Sequence, residues 1–171
     1  MLSRGQRKVG KAILAAVQHR ARHHGWSRRR ARQVGRMCIM CALTESELRV
    51  YANEGNAESR RLLAEFARQG YATAIGSDHA SVGPFQQQVP GWGDTADCMD
   101  PAKSTWKFLG ALADKGADAF HKPFGTYPDL ADRIQSVQVS AFADGSNYRA
   151  NRWRSQRFMF FHWNYLTRSV K

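Results

Sequence analysis

The stretch SRRRARQVGRMCIMCALTESEL, residues 27–48, changes from basic to apolar to acidic within a length that one helix can span. Ser27 is a suitable helix N-cap. Steps of four, three and four residues then place four side chains on one helical stripe: Val34, Cys38, Cys41 and Glu45. The sequence therefore predicts a central helix that reaches Leu48 and carries Glu45 at the C-terminal end of an apolar stripe.

Glu47 is the second acidic residue of this stretch, and we interpret it differently. It lies about 200° around the helix from Glu45, on a stripe that also contains Arg36. A cation is therefore within reach in its helical neighbourhood. We expect Glu47 to be a partly solvated charge without a chemical role.

The charge of the chain is concentrated at its N-terminal end. Eleven of the 26 Lys and Arg residues precede Glu45, whereas none of the 14 acidic residues does. A patch of this kind attracts polyanions such as nucleic acid, anionic lipid or the acidic polymers of a bacterial wall. Charge alone does not choose among these partners.

The three cysteines, Cys38, Cys41 and Cys98, are an odd number and argue against a closed disulfide framework. Cys38 and Cys41 lie in a continuous apolar run, so we predict buried core thiols. They form a C-x-x-C, but no second Cys or His pair lies at zinc-finger spacing, and we expect neither a metal nor another cofactor. The apolar segment AILAAV, residues 12–17, is shorter than the core of a signal peptide, and no run is long enough for a membrane span.

The remaining pattern is mostly helical and predicts one domain over residues 1–171. A basic amphipathic helix over about residues 3–24 is expected to pack on that domain. Further helices are predicted for residues 57–69, 100–114, about 130–142 and from about 146 onward. The Gly-rich segment 70–99 is expected to be loop with a small hairpin. Aromatic residues of the last helix are interpreted as core rather than as a lipid or nucleic-acid surface, namely Trp153, Phe158, Phe160, Phe161, Trp163 and Tyr165.

Several short motifs occur in a fixed order: Glu45-Ser46, YAN, GSDHASVGPFQQQV, GWG, CMDP, FL and VQVSAFADGSNY. Together they resemble the goose-type lysozyme and soluble lytic transglycosylase family, and most closely the transglycosylase-like domains of actinobacteria and their phages. The resemblance covers roughly residues 30–150. It implies a mainly α, lysozyme-like (α+β) fold, a helical bundle around a central helix that ends in the catalytic Glu. The implied activity is cleavage of peptidoglycan glycan strands by a phage lysin or virion-associated enzyme.

The residues support this chemistry independently. Breaking a β-1,4 glycosidic bond requires a carboxyl group whose pKa is raised by an apolar setting, so that it can protonate the leaving oxygen. Glu45 has such a setting on its apolar stripe. Long glycans also need aromatic faces and amide groups. Candidate substrate-binding residues are Ser46, Gln86, Gln87, Trp92 and Tyr148, and the resemblance places Tyr148 near the active Glu.

The type of product depends on a second carboxylate. The resemblance offers Asp78 as a group that helps to place water, although Asp in such a turn often only caps its own backbone. Gln87 and Gln88 stand where goose-type enzymes have a further Asp. A lone Glu suits a lytic transglycosylase better than a hydrolytic muramidase, because the C6 hydroxyl of the substrate replaces water.

Three interpretations stay open at this point. The first is glycan cleavage at the bacterial wall, with the basic end bound to anionic wall polymers and the protein held in a virion or host cytoplasm before release. The second is a nucleic-acid-binding module led by RHHGWSRRRARQ, residues 22–33, which leaves the later motifs unexplained. The third is an inactive wall-binding domain.

Overall fold

The computed structural model describes residues 1–115, 129–139 and 142–168, with side chains of the last helix described up to residue 163. The helices are α1 (Arg4–His23), α2 (Arg28–Ser46), α3 (Ala57–Arg68), α4 (Thr95–Met99), α5 (Pro101–Asp114), α6 (Leu130–Gln138), α7 (Ser146–Ala150) and α8 (Arg152–Arg168). The strands are β1 (Val50–Asn53), β2 (Thr73–Gly76), β3 (Ser81–Val82) and β4 (Gln87–Gln88). The predicted mainly α class is confirmed.

Helix α2 lies at the centre and contacts α1, α6, α7 and α8. The predicted apolar stripe is confirmed, since Val34, Cys38 and Cys41 are each 0% exposed. Burying an aliphatic side chain of this size contributes about 1.5–3 kcal/mol. Burial also raises the pKa of the Cys38 and Cys41 thiols, so both stay protonated and act as core residues.

Helix α1 begins as predicted after Ser3. The Ser3 hydroxyl accepts a hydrogen bond from the Gln6 N–H, and the Gln6 side chain accepts one from the Ser3 N–H, which forms a capping box. Along the helix, the Trp106 Nε1 of α5 donates to the Ala16 carbonyl over 3.3 Å. A Cβ on Gly10 would lie 2.3 Å from the Phe158 ring of α8, so α1 and α8 approach closely there.

Helix α2 ends two residues earlier than predicted. The Leu48 N–H donates to the Ala42 carbonyl and the Glu47 N–H to the Leu43 carbonyl, and Glu47 adopts the left-handed conformation at φ 53°. Glycine usually occupies that position, and the sequence has none here. The sequence therefore contains no residue that marks the end of this helix.

The two small sheets surround the turn that follows. Strands β1 and β2 pair in parallel, with Val50 opposite Thr73, and β3 and β4 form the predicted hairpin. Strand β1 lies in no predicted element, and the loop prediction is wrong for β2 and for the five-residue α4, which both lie in the Gly-rich segment. Helix α6 ends at Gln138, before the predicted end near residue 142, because Val139 adopts a left-handed conformation. The predicted last helix is divided into α7 and α8 at Asn151.

The aromatic residues of α8 are only partly core. Phe158 and Trp163 are buried as predicted. The prediction is wrong for three others, because they lie on the opposite side of the helix: Trp153 at 76%, Phe160 at 68% and Phe161 at 60% exposure. One helix presents only one stripe to a core, so six aromatic residues in 13 positions cannot all be buried. The side chain of Tyr165 lies outside the described residues.

None of the helices in the described ranges combines the length and the apolar character that a membrane crossing requires.

Candidate active site

Glu45 occupies the last turn of α2, and Tyr148 is the hydrogen-bond partner of its carboxylate among the described residues. The Tyr148 hydroxyl of α7 donates a hydrogen bond to Glu45 Oε1 over 2.6 Å. Tyr148 is fully buried, whereas Glu45 keeps partial exposure. Burial raises the pKa of Glu45, and the hydrogen bond from Tyr148 opposes that rise because it favours the ionised carboxylate. The sequence had placed the two residues 103 positions apart, and the fold brings them together.

Helix α7 is attached to α2 by a second contact beside the first. The Asn151 side-chain amide donates to the Thr44 hydroxyl over 3.0 Å. On the other side of α7, Arg149 forms ion pairs with Asp129 at 2.9 Å and Asp132 at 2.6 Å, both at the start of α6. These contacts fix α7 relative to α2, and they therefore fix the Tyr148 hydroxyl against Glu45.

Ser46 and Glu47, which follow Glu45, connect the end of α2 to two other parts of the chain. The Ser46 hydroxyl lies 2.8 Å from the Pro84 carbonyl and 2.9 Å from the Ala42 carbonyl. The Gln6 side chain of α1 donates to the Glu47 carbonyl over 2.7 Å. Ser46 had been predicted to bind substrate, but its side chain is buried, so it holds the turn in place instead.

Glu47 has a cationic partner, but not the expected one. Its carboxylate pairs with the Arg154 guanidinium of α8 at 2.6 Å, and both side chains are roughly half exposed. Arg36 instead directs Nη2 to the Arg152 carbonyl over 3.3 Å. The hydrogen bond from Arg154 lowers the pKa of Glu47, so this carboxyl is ionised at neutral pH and is a poor proton donor.

The turn Gly83–Gln86 packs against the C-terminal end of α2, where the Ser46 hydroxyl contacts the Pro84 carbonyl. Gly83 has φ +75°, and a Cβ at this position would lie 1.8 Å from the Cys98 carbonyl oxygen. The Gln138 side chain of α6 donates to the Phe85 carbonyl over 2.8 Å and to the Cys41 Sγ over 3.2 Å. The turn is therefore held by Ser46 from α2 and by Gln138 from α6.

The two candidate glutamines of this segment point in different directions. Gln86 is half-buried, and its amide donates to the Gly83 carbonyl over 3.0 Å. Gln87 is fully buried, and its amide donates to the Ser104 carbonyl of α5 over 3.1 Å. Gln87 therefore packs into the core and does not present its amide to a substrate. Gln86 lies in the turn before β4 with a left-handed φ of 50°, and the alternation of a strand begins only at the buried Gln87 and the exposed Gln88.

Asp78 and Trp92 lie in the loops that follow β2 and β4. The side chain of Asp78 is exposed, and its backbone carbonyl accepts a hydrogen bond from the Asn53 amide over 3.1 Å. Trp92 is half-buried against the core, and its carbonyl accepts a hydrogen bond from the Cys98 thiol. The catalytic role of Asp78 and the substrate contact of Trp92 stay predictions.

Sequence reasoning missed four side chains that position the site: Asn53, Gln138, Asn151 and Arg149. Each acts through contacts with residues that are not its neighbours in the chain. Asn53 lies within the YAN motif, so that motif could have identified it. The other three carry no local pattern that separates them from ordinary surface residues.

The described residues contain no group of three or more His, Cys, Asp or Glu side chains that could hold a metal ion.

The chain matches no protein-family model, and no curated protein matches it significantly.

Replacing Glu45 with Gln should raise the stability of the protein at neutral pH. Burial raises the pKa of Glu45, so the folded chain retains this proton to a higher pH than the unfolded chain. Stability of the parent is therefore lost as pH rises from the unfolded pKa, about 4.3, through the raised folded pKa. We expect the melting temperature of Glu45→Gln to exceed that of the parent at pH 7.5, by roughly 2–4 °C for each kcal/mol, and the difference to shrink at pH 4.

Glu47→Gln provides a control of opposite sign. Because Arg154 lowers the pKa of Glu47, the ion pair stabilises the fold above the unfolded pKa, and this contribution is lost as pH falls through the folded pKa. The pair is half exposed, so the loss in Glu47→Gln at neutral pH should not exceed about 1 kcal/mol. Thermal unfolding of both variants across pH measures the two effects, and a fall in stability for Glu45→Gln at pH 7.5 would contradict the assignment.

Proposed function

We propose that the protein cleaves the glycan strands of peptidoglycan at the β-1,4 bond between N-acetylmuramic acid and N-acetylglucosamine, on a lysozyme-like fold. The observation that carries the proposal is the Glu45 carboxyl, whose pKa is raised by burial and which is held by Tyr148 at the end of a central helix. A carboxyl in such a setting is suited to general acid catalysis near neutral pH. The order of the sequence motifs supports the same activity.

In the proposed first step, protonated Glu45 gives its proton to the glycosidic oxygen. The bond between that oxygen and C1 of the muramyl ring breaks, the N-acetylglucosamine hydroxyl leaves, and positive charge develops at C1. Glu45 is then a carboxylate. The Tyr148 hydroxyl, which donates to Oε1, stabilises this ionised form and keeps the carboxylate in place for the second step.

In the proposed second step, the C6 hydroxyl of the same muramyl ring attacks C1 and gives its proton to Glu45. A 1,6-anhydro ring forms, and Glu45 returns to its starting state. Only one carboxyl is needed, which suits a site in which Tyr148 is the hydrogen-bond partner of the Glu45 carboxylate among the described residues. The intramolecular attack also gains from proximity.

A hydrolytic muramidase on the same fold is the second candidate, and it rests on Asp78. The exposed carboxylate of Asp78 is held near the sheet through its own backbone by Asn53. If Asp78 positions a water molecule, Asp78→Asn should abolish the reducing-end product. If it does not, Asp78→Asn should slow the reaction only modestly and leave an anhydro product. We favour the second outcome, because Gln87 and Gln88 stand where a second carboxylate would be expected.

Digestion of purified sacculi tests the proposal. Parent protein should release soluble muropeptides from sacculi, and heat-inactivated protein should not. Failure of a folded parent protein to release any fragment would reject the enzymatic proposal and would leave an inactive wall-binding domain or a nucleic-acid-binding module.

Replacing Tyr148 with Phe should shift the pH dependence of this activity. The hydroxyl favours ionised Glu45, so its removal raises the pKa of Glu45 further and keeps the carboxyl protonated to higher pH. The alkaline limb of kcat/KM should therefore move to higher pH. The maximal rate should fall by about 10- to 150-fold, since a hydrogen bond to a charged group is worth about 1.5–3 kcal/mol. An alkaline limb that stays in place or moves to lower pH would contradict this role.

A further inference from the structure

A groove with a volume of about 580 Å³ lies between the N-terminal half of α2 and helix α8. Four arginines line it, Arg28, Arg29, Arg32 and Arg36, and none of the described residues that line it is acidic. Glu45 lies at the other end of α2, about 13 Å or more along the helix axis from these arginines. The groove is therefore separate from the candidate active site.

The shape of the groove depends on a close approach of two helices. A Cβ on Gly35 would lie 2.8 Å from the Trp163 ring and 3.3 Å from the Met159 side chain. Glycine inside a helix lowers stability by about 1 kcal/mol relative to alanine. Gly35 is therefore explained by the close packing of α8 and not by helix propensity. Met159 and Trp163 form an apolar floor, and the arginines of α2 form one wall.

The charges of this wall repel one another in the absence of an anion. The pKa of Arg36 is lowered by partial burial and by the positive charges of Arg152 and Arg32. The Nε of Arg36 is buried and has no hydrogen-bond partner among the described residues. The first turn of α2 also carries three arginines and no acidic residue, although a helix N-terminus favours negative charge. A bound anion would offset each of these unfavourable terms.

The spacing of the arginines fits an elongated ligand. Arg28, Arg32 and Arg36 follow at steps of four residues, so they form a row along α2 with a rise of about 6 Å per step. Guanidinium groups bind phosphate through paired N–H donors. A row of such groups matches a chain with a phosphate in every repeat better than it matches a single anion.

The groove lacks the features that nucleic acids require. Single strands bind by stacking their bases on exposed aromatic rings, but Trp163 is only 5% exposed and serves as floor. Duplex DNA is read by a helix or ribbon that protrudes into its grooves, whereas this surface is concave. The contacts that the groove offers are to phosphate, so a thin polyanion without bases fits it best.

We infer that this groove binds a polyol-phosphate polymer, the phosphodiester class of anionic wall polymer. The choice of this class rests on the proposed function, because a glycan-cleaving enzyme meets such polymers at the bacterial wall. Binding through the α2–α8 groove retains the protein on the wall, while Glu45 acts on glycan at the opposite end of the same helix.

Binding of a fluorescently labelled glycerol phosphate oligomer tests the inference. The variant Arg28→Gln/Arg29→Gln/Arg32→Gln removes three exposed charges and leaves the partly buried Arg36 in place. The control Arg60→Gln/Arg61→Gln/Arg68→Gln removes three exposed charges from α3 and gives the same net charge. The groove variant should lose at least tenfold in affinity at 0.01 M salt, and the control less than twofold.

Salt and a competing polyanion complete the test. Affinity of the parent should fall steeply between 0.01 M and 0.15 M salt, where the screening length drops from about 30 Å to about 8 Å, and the groove variant should show a shallower dependence. Equal losses in the two triple variants, no binding by the parent, or tighter binding of a DNA strand with the same number of phosphates would overturn the inference.

The inference and the proposed function can fail separately. The groove variant should cleave short glycan fragments free of wall polymer at the parent rate, because Glu45 and Tyr148 are unchanged. If the groove variant loses polymer binding and the parent does not cleave glycan, only the proposed function is rejected. Cleavage by a parent protein that does not bind the oligomer would reject the groove alone.

Discussion

Glu45→Gln is expected to reduce the release of muropeptides from sacculi by at least about 10²–10⁴-fold, the range that general acid–base catalysis supplies. The amide keeps the size of the carboxyl and can still accept the hydrogen bond from Tyr148, which reaches Oε1 over 2.6 Å in the parent. It cannot deliver a proton to the leaving oxygen. Because Glu45 serves in both proposed steps, its replacement should impair both.

Glu47→Gln is the matched control for this loss. It makes the same chemical change two residues away and disrupts only a half-exposed pair with Arg154. Its activity should stay within about twofold of the parent, since such pairs contribute about 0–1 kcal/mol. Rates are measured from initial fragment release at one protein concentration. A Glu45→Gln protein as active as the parent would exclude Glu45 as the acid.

Gly83→Ala is expected to have the largest effect on stability. A Cβ at position 83 would lie 1.8 Å from the Cys98 carbonyl oxygen and 3.2 Å from the Met99 Cα, both backbone atoms that cannot rotate away. The φ of +75° adds strain of about 1–3 kcal/mol for any residue with a side chain. We expect a loss of more than about 3 kcal/mol, or a fall in melting temperature of at least roughly 6–12 °C.

Gly110→Ala is the control for Gly83→Ala. Gly110 lies inside α5, and a Cβ there would meet no atom within 4 Å. Alanine should stabilise the helix by about 0.5–1 kcal/mol, because it loses less conformational freedom on folding. Thermal unfolding monitored by circular dichroism compares the two variants. A Gly83→Ala protein as stable as Gly110→Ala would show that the turn is not packed against Cys98 as described.

The parts of the fold that the sequence predicted are those with a local signal. Ser3 and Ser27 are polar caps in front of helical periodicity, and Asp100 followed by Pro101 marks the start of α5. The spacing of the apolar residues in α2 predicted which face of the helix is buried. These features depend on neighbours within one helical turn, so a single sequence contains them.

The features that were missed depend on distant contacts. Helix α2 ends at Ser46 because Glu47 adopts a left-handed conformation without glycine, in a turn that Gln6 also holds. Strand β1 exists through its parallel pairing with β2, whose register starts 23 residues later. Neither Gln6, at the end of α2, nor β2, beside β1, can be identified from the local sequence pattern. The type of a residue does not specify which distant residue it contacts.

The candidate site shows the same division. Glu45 could be selected because its apolar stripe is local, and Tyr148 was selected through the resemblance. The buried positions of Ser46 and Gln87 could not be predicted, because they follow from contacts with Pro84 and Ser104. The motif residues near Glu45 thus include buried residues that hold the turn and core in place, as well as residues that form the site itself. Only the three-dimensional structure distinguishes the two groups.

Mass spectrometry of the muropeptides that parent protein and Glu45→Gln release from purified sacculi tests the account most directly. The parent should release fragments with 1,6-anhydro-muramyl ends, each lighter by one water than the reducing-end form, and Glu45→Gln should release none above background. Fragments with reducing ends that vanish in Asp78→Asn would show a hydrolase in which Asp78 positions water. Fragments released equally by parent and Glu45→Gln, or released by neither, would contradict the account.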